Sequence, residues 1–188
     1  MRSELRALRR ALGGEQQLHA AQSLIKYVQS LPHWQSSHSV ALYCSADGEI
    51  DPLPLAQAAR AAGKQLLLPV ITTAGSLEFA HWNEAIDLQP NRFGIAEPAA
   101  DAERTPTDDI DIIFLPLVAW DRDGGRLGMG GGYYDRTLED VSGPLLVGLA
   151  HALQEVDAVP CERTDVRLDF VASDKALVNC QEVPQNSG

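Results

Sequence analysis

Six of the 15 glycines fall within nine residues: Gly124, Gly125, Gly128, Gly130, Gly131 and Gly132. Arg126 sits among them, and Tyr133, Tyr134 and Asp135 follow at once. Glycine lets the backbone adopt positive φ and approach a ligand closely. Successive N–H groups in such a loop converge on an anion, helped by a helix beginning there. Arg126 adds a fork of donors suited to phosphate oxygens. Asp135 adds a carboxylate able to hold Mg²⁺, directly or through water. Nest, arginine and carboxylate together are the parts of a nucleotide-phosphate site. The stretch is not a Walker A loop, because no Gly-Lys-Ser/Thr follows, and Tyr133 stands where a GxGxxG fingerprint needs its third glycine. A structural turn would explain the glycines alone, but not the arginine, tyrosines and aspartate in register.

The N-terminus carries a second cationic group: Arg2, Arg6, Arg9 and Arg10. Arg2 and Arg6 are four apart, so on a helix both can point at one site. Arg9 and Arg10 read as the solvated face of that helix. No Ser/His or Cys/His pairing suggests an enzyme nucleophile. There is no CxxC pair and no HExxH, and His33 and His38 are five apart, so a structural zinc site is not expected. Cys44, Cys161 and Cys180 are odd in number and far apart, which suits a reducing compartment. The opening MRSELRALRRAL is too charged for a signal peptide, and no apolar run approaches the ~18 residues of a membrane span. The expectation is a cytoplasmic protein.

These residues need a scaffold, and 188 residues suffice for a single domain with its own core. Apolar residues make up 45% and charged residues 22%, ordinary globular usage. The net charge of −11 argues against a nucleic-acid or anionic-membrane partner. The first ten residues, with four arginines and one glutamate, nevertheless carry +3, which leaves −14 on the rest. Positive groups are thus gathered locally, and a single phosphate ligand stays compatible with the acidic whole.

Residues 2–12 are strong helix formers with Leu5, Leu8 and Leu12 on one stripe, broken by Gly13-Gly14. Residues 15–31 form a second helix, with Leu18, Ala21, Ile25 and Val28 on its apolar face, ended by Pro32. Asp51-Pro52 reads as an N-cap and first turn of a third helix, stopped at Gly63. Apolar runs at 39–45, 65–71, 77–82, 111–118, 145–150 and 168–172 read as strands. Pro69 favours an edge or a strand end. Residues 83–109 are poor in periodicity and read as a long irregular stretch. A helix is expected at 133–138, after the glycine loop, and a polar tail closes the chain. Helices alternating with short apolar strands indicate an α/β fold with a mainly parallel sheet and helices on both faces. Such folds bind ligands at the carboxyl ends of the strands.

The stretch RLGMGGGYYDRTL at 126–138 closely resembles the signature loop of the 5-formyltetrahydrofolate cyclo-ligases, also called 5,10-methenyltetrahydrofolate synthetases. The likeness extends over nearly the whole chain. DIIFLPLVAWDRDG resembles the strand and loop entering that signature, and RFGIAEP its mid-chain aromatic-Gly-Ile-Pro-Glu-Pro segment. RSELR resembles its basic Lys-x-x-x-Arg opening, and residues 147–169 match its ending. The resemblance implies a three-layer α/β/α fold. It also implies ATP- and Mg²⁺-dependent conversion of 5-formyltetrahydrofolate to 5,10-methenyltetrahydrofolate, releasing ADP and phosphate.

Carried over residue by residue, the resemblance puts ATP binding on Arg2, Ser3, Glu4, Leu5 and Arg6. The phosphate loop comprises Arg126, Leu127, Gly128, Met129, Gly130, Gly131, Gly132, Tyr133 and Tyr134. Arg126 and Tyr133 are the implied catalytic groups. Arg6, the segment from Cys44 to Glu49 and the segment from Met129 to Tyr133 fall at the folate, and Asp135 and Asp165 at the metal. Arg2 stands where the family usually has lysine, which keeps the charge but changes reach and geometry. Phe93 reads equally as a core anchor or as a lid over the pterin. The partners implied are ATP and a reduced folate, with or without a polyglutamate tail, bound by a monomer. Two other readings stay open: a non-catalytic nucleotide or folate-binding module on the same fold, and a sugar-phosphate isomerase or transferase acting without ATP.

Overall fold

The computed structural model describes residues 1–83, 87–161 and 165–181. Four helices occur there: α1 (Arg2–Arg10), α2 (Gly14–Val28), α3 (Leu53–Ala61) and α4 (Tyr133–Leu138). The strands are β1 (Ser39–Ala41), β2 (Gln65–Ile71), β3 (Leu77–His81), β4 (Leu88–Pro90), β5 (Ala96–Pro98) and β6 (Arg104–Thr105). They continue with β7 (Ile112–Pro116), β8 (Ala119–Trp120), β9 (Arg126–Leu127), β10 (Leu145–Ala150), β11 (Phe170–Ser173) and β12 (Leu177–Asn179). Eight of them form one sheet in the order β12-β11-β10-β7-β1-β2-β3-β6. The inner strands from β11 to β2 run parallel, while β12, β3 and β6 pair antiparallel at the margins.

Side chains alternate across the sheet, as a strand's period of two requires. Val40, Leu66, Leu68, Ile112, Phe114, Val147 and Leu149 face one layer, filled by Ala21, Leu24 and Val28 of α2 and by Leu55 and Ala59 of α3. Ala41, Leu67, Ile113, Leu115, Leu146 and Val171 face the other, against Trp120 and Leu138 of α4. This is the three-layer α/β/α arrangement with a mainly parallel sheet. Burying each large side chain contributes about 1.5–3 kcal/mol, so the two apolar layers fix the sheet to its helices.

The bounds of β2, β10 and α4 coincide with those read from the sequence. Pro69 lies inside β2, yet β1 pairs with β2 only as far as Leu67. Beyond that point Pro69 has a partner on one side only, Phe79 of β3, so its missing N–H leaves no gap in the ladder. Two apolar stripes turn out differently. Leu8 and Leu18 are both 54% exposed. α2 turns Ala20, Ala21, Leu24 and Val28 inward, and Leu18 falls off that face. α1 does not lie on the sheet face. It sits at the sheet's end, where Leu5 joins a small cluster with Val118, Ala119 and Val159.

The stretch read as irregular contains the β4–β5 hairpin and the short β6. Its prolines concealed it, because Pro90 and Pro98 sit on a two-stranded ribbon where an N–H can be spared. The polar tail likewise contains β12, an edge strand against β11.

Candidate active site

The candidate residues gather at the carboxyl ends of β1, β7 and β10, where a parallel sheet opens into loops. α1 lies across this end, and Arg9 is its anchor. Arg9 is fully buried. Its Nε donates to the Asp47 carbonyl (2.8 Å), one terminal nitrogen to the Leu117 carbonyl just past β7 (2.9 Å), and the other to Asp47 Oδ2 (2.8 Å). That last nitrogen also lies 3.7 Å from Met129 Sδ and 3.6 Å from Glu49 Oε1. One guanidinium thus ties α1 to the loop after β1, the end of β7 and the glycine loop.

Asp47 is clamped from the other side by Arg6, at 2.7 and 3.1 Å, with Arg10 at 3.4 Å. The backbone there is unusual. Asp47 has φ +53° and Gly48 φ +75°. A Cβ on Gly48 would lie 3.1 Å from Arg10 Cα and the Arg9 carbonyl oxygen, so only glycine lets this turn touch the α1 backbone. Gln17 of α2 donates to the Gly48 carbonyl (3.3 Å) and completes the cradle. Glu49 is held by the Ala46 N–H on Oε2 (3.0 Å), and its Oε1 has no hydrogen-bond partner among the described residues.

The glycine loop is carried by the β8–β9 hairpin. Buried Asp121 organises its turn by accepting from the N–H groups of Asp123, Gly125 and Val159. Arg126 follows with its side chain 5% exposed, donating to Asp135 Oδ1 at 2.6 Å. The same oxygen accepts the N–H of Val166, the residue after Asp165 (3.3 Å). Asp135 Oδ2 has no hydrogen-bond partner among the described residues. Gly130 and Gly132 have φ of +97° and +65°, the conformation inferred for a nest.

Arg136 pins the loop, donating to the Gly131 carbonyl (2.7 Å) and, through Nε, to Gly75 in the β2–β3 turn (2.9 Å). Arg2 reaches the loop from α1 and donates to the Gly128 carbonyl (2.9 Å). The Arg126 Nε and Tyr134 hydroxyl are buried without a hydrogen-bond partner among the described residues. Such orphaned donors carry an energetic cost until an acceptor arrives. Donors without acceptors, beside a carboxylate oxygen without a donor, fit a Mg²⁺–phosphate group.

The β4–β5 hairpin closes over this loop. Arg92 donates to the Tyr133 hydroxyl (2.6 Å), and Phe93 meets the Tyr133 ring edge-on with centroids 6.1 Å apart. Phe93 is 57% exposed, so it is no core anchor.

Burial and charge shape the titrating groups. Arg6 and Arg9 hold the Asp47 carboxyl down at about 2. Burial pushes Glu49 up, with the Ala46 N–H and Arg9 opposing it. Burial also raises the Tyr43 and Tyr134 hydroxyls, which sense the charge of Glu49. Cys44 is half-buried, and burial raises its thiol, which makes it a wall and not a nucleophile. Burial lowers His151, with Asp174 opposing it.

The 5-formyltetrahydrofolate cyclo-ligase family model matches residues 1–174. The chain belongs to that family. It is 39% identical over 173 residues to the 5-formyltetrahydrofolate cyclo-ligase of Haemophilus influenzae, covering 89% of this chain and 92% of that one. Against the Escherichia coli K12 cyclo-ligase it is 39% identical over 176 residues, covering 90% and 96%. The solution structure of Aquifex aeolicus 5,10-methenyltetrahydrofolate synthetase superposes with a TM-score of 0.84 at 32% identity, covering 100% of this chain and 94% of that one. A Mycoplasma pneumoniae synthetase shares the fold, with a TM-score of 0.74 at 22% identity.

Several residues implied by the cyclo-ligase resemblance adjoin one another: Arg2 reaches Gly128, Arg126 bonds Asp135, and Arg9 lies against both Glu49 and Met129. Arg2 and Arg6 part company there, since Arg2 reaches the glycine loop and Arg6 is engaged by Asp47. Of the others in the opening stretch, Ser3 and Glu4 are exposed and Leu5 is core. Sequence reasoning missed Arg9 and Arg92. The signal for Arg9 was present: it lies four residues after Leu5 and three before Leu12, on the inward stripe of α1.

Proposed function

We propose that this cyclo-ligase converts 5-formyltetrahydrofolate to 5,10-methenyltetrahydrofolate, using ATP with Mg²⁺ and releasing ADP and phosphate. The observation that carries the reading is convergence: fully buried Arg9 touches both the Asp47–Glu49 segment and Met129 of the glycine loop. The segment assigned to folate and the loop assigned to phosphate are therefore neighbours.

A formamide oxygen is a poor leaving group. Transfer of the γ-phosphoryl group to that oxygen turns it into a phosphate ester of an imidate. Folate N10 then attacks the formyl carbon and gives up its proton, the C–O bond breaks, and phosphate departs, carrying that proton as hydrogen phosphate. No enzyme nucleophile is needed, so the protein's task is to position and to neutralise charge. The N–H groups of Gly128 to Gly132 and the Arg2 guanidinium cradle the phosphates. Arg126 holds Asp135 in place and offers its unpartnered Nε beneath the loop. Asp135, with Asp165, would hold Mg²⁺, which supplies charge neutralisation on the phosphate oxygens. Glu49 Oε1 accepts the pterin N–H donors, and Tyr133 and Phe93 cover the ring. ATP and folate are small ligands, and no helix among the described residues is long and apolar enough to cross a membrane.

The test is direct. Purified protein with Mg-ATP and 5-formyltetrahydrofolate should develop the near-ultraviolet absorbance of the methenyl product. A folded protein giving no ATP-dependent signal refutes the reading. ATP binding without phosphate release would point instead to a non-catalytic binding module.

A further inference from the structure

We propose that Arg9 is the positioning residue of the folate side of the site: it clamps the loop carrying Glu49 and faces that carboxylate with a fixed positive charge. The inference deepens the reading above and rests on Glu49 meeting the pterin. Arg9 is fully buried, and its hydrogen bonds are spent on Asp47 and Leu117. It touches no ligand itself. Its free electrostatic influence falls on Glu49 Oε1 at 3.6 Å. That oxygen has no hydrogen-bond partner among the described residues, so it is the one left for a ligand donor.

The chemistry requires an ionised Glu49, since a carboxylate accepts two N–H bonds and a carboxylic acid carries a proton of its own. Burial favours the protonated form. The charged and titrating groups facing Glu49 are Arg9 and Arg6 on α1 and Asp47 in its own loop. Tyr43 after β1 and Tyr134 on α4 sense it as well. His151 after β10 lies against Gly48; burial lowers it, and Asp174 opposes that. Arg6 is already committed to both Asp47 oxygens. Arg9 is therefore the cation that holds Glu49 in its accepting form.

The experiment compares wild type with Arg9→Met and Arg9→Lys, varying 5-formyltetrahydrofolate and ATP separately between about pH 5.5 and 8.5. The Glu49 carboxyl is titrated in parallel by carbon NMR. Asp47 keeps Arg6 and Arg10 in both variants, and Arg9→Lys retains a cation should the methionine variant unfold.

Removing the cation should raise KM for the folate severalfold at the acid end of the range, where Glu49 protonates, with KM for ATP changed less than about twofold. The acid limb of kcat/KM for the folate should move to higher pH, together with the NMR titration. Arg9→Lys should restore part of both, and Glu49→Gln should abolish the limb. Parallel rises in both KM values, or a Glu49 titration that stays in place, overturn the proposal alone. A wild type without ATP-dependent conversion, or a Glu49→Gln variant with unchanged folate KM, overturns the functional reading on which it rests.

Discussion

Replacing Asp47 by asparagine isolates the charge at the centre of the arginine clamp. Asparagine tolerates the left-handed region as aspartate does, so φ +53° is preserved and only the charge is lost. In the folded protein Asp47 titrates at about 2, against an ordinary 3.8, because Arg6 and Arg9 bond to it. Nearly two pKa units correspond to about 2.5 kcal/mol of stability at neutral pH. Arg6, the main contributor, is 33% exposed, so solvent screens part of this. The variant also leaves the buried Arg9 charge with Glu49, at 3.6 Å, as its nearest anion. Uncompensated buried charges are costly, which offsets that screening, so about 2–3 kcal/mol is expected.

For a chain of this length the corresponding fall in Tm is about 5–10 °C. The folded-state pKa lies below the unfolded one. The Asp47 contribution is therefore complete above about pH 4 and is lost as pH falls towards 2. Urea unfolding followed by tryptophan fluorescence at several pH values between 7 and 2.5 measures both. The gap between wild type and Asp47→Asn should be constant from pH 7 to about 4.5 and shrink below. A gap under about 0.5 kcal/mol at pH 7, or one that stays constant down to pH 2.5, refutes the reasoning.

Asp135→Asn should weaken the Mg²⁺ dependence of turnover about 10- to 100-fold, read by titrating the metal at saturating ATP. An unchanged Mg²⁺ titration removes Asp135 from the metal site. Gly148→Val forces a side chain onto Leu117 and Leu168, whose methyl carbons would lie 2.7 Å from an added Cβ. It should cost about 1–3 kcal/mol by overpacking, measured by urea unfolding, and a neutral result would show that this layer can expand. Phe93→Ala should change stability by less than about 0.5 kcal/mol, since the ring is 57% exposed. It should raise KM for the folate severalfold while sparing KM for ATP, and an unchanged folate KM excludes the hairpin from the site.

Much of the scaffold was legible where the signal is local. β2 and β10 are continuous apolar runs bounded by polar residues, and α4 follows directly from the glycine loop, so their bounds read true. β12 and the β4–β5 hairpin were not legible, because edge strands tolerate the prolines and polar residues that argue against strands. Leu8 and Leu18 were read as buried because periodicity finds an apolar stripe but not the surface it meets.

The same division runs through the site. The amino-acid sequence by itself determined the fold class, the family, and the glycine loop with its arginine, tyrosines and aspartate, since each is a pattern of near neighbours. Only the tertiary structure decided how the charges pair. Arg126 and Asp135, assigned separately to phosphate and metal, bond to each other. Arg9, read as solvated, is fully buried against a turn 38 residues away. A guanidinium finds its partner where α1 docks across the ends of β1 and β7, and that docking is a property of the whole packed sheet, which no local spacing encodes.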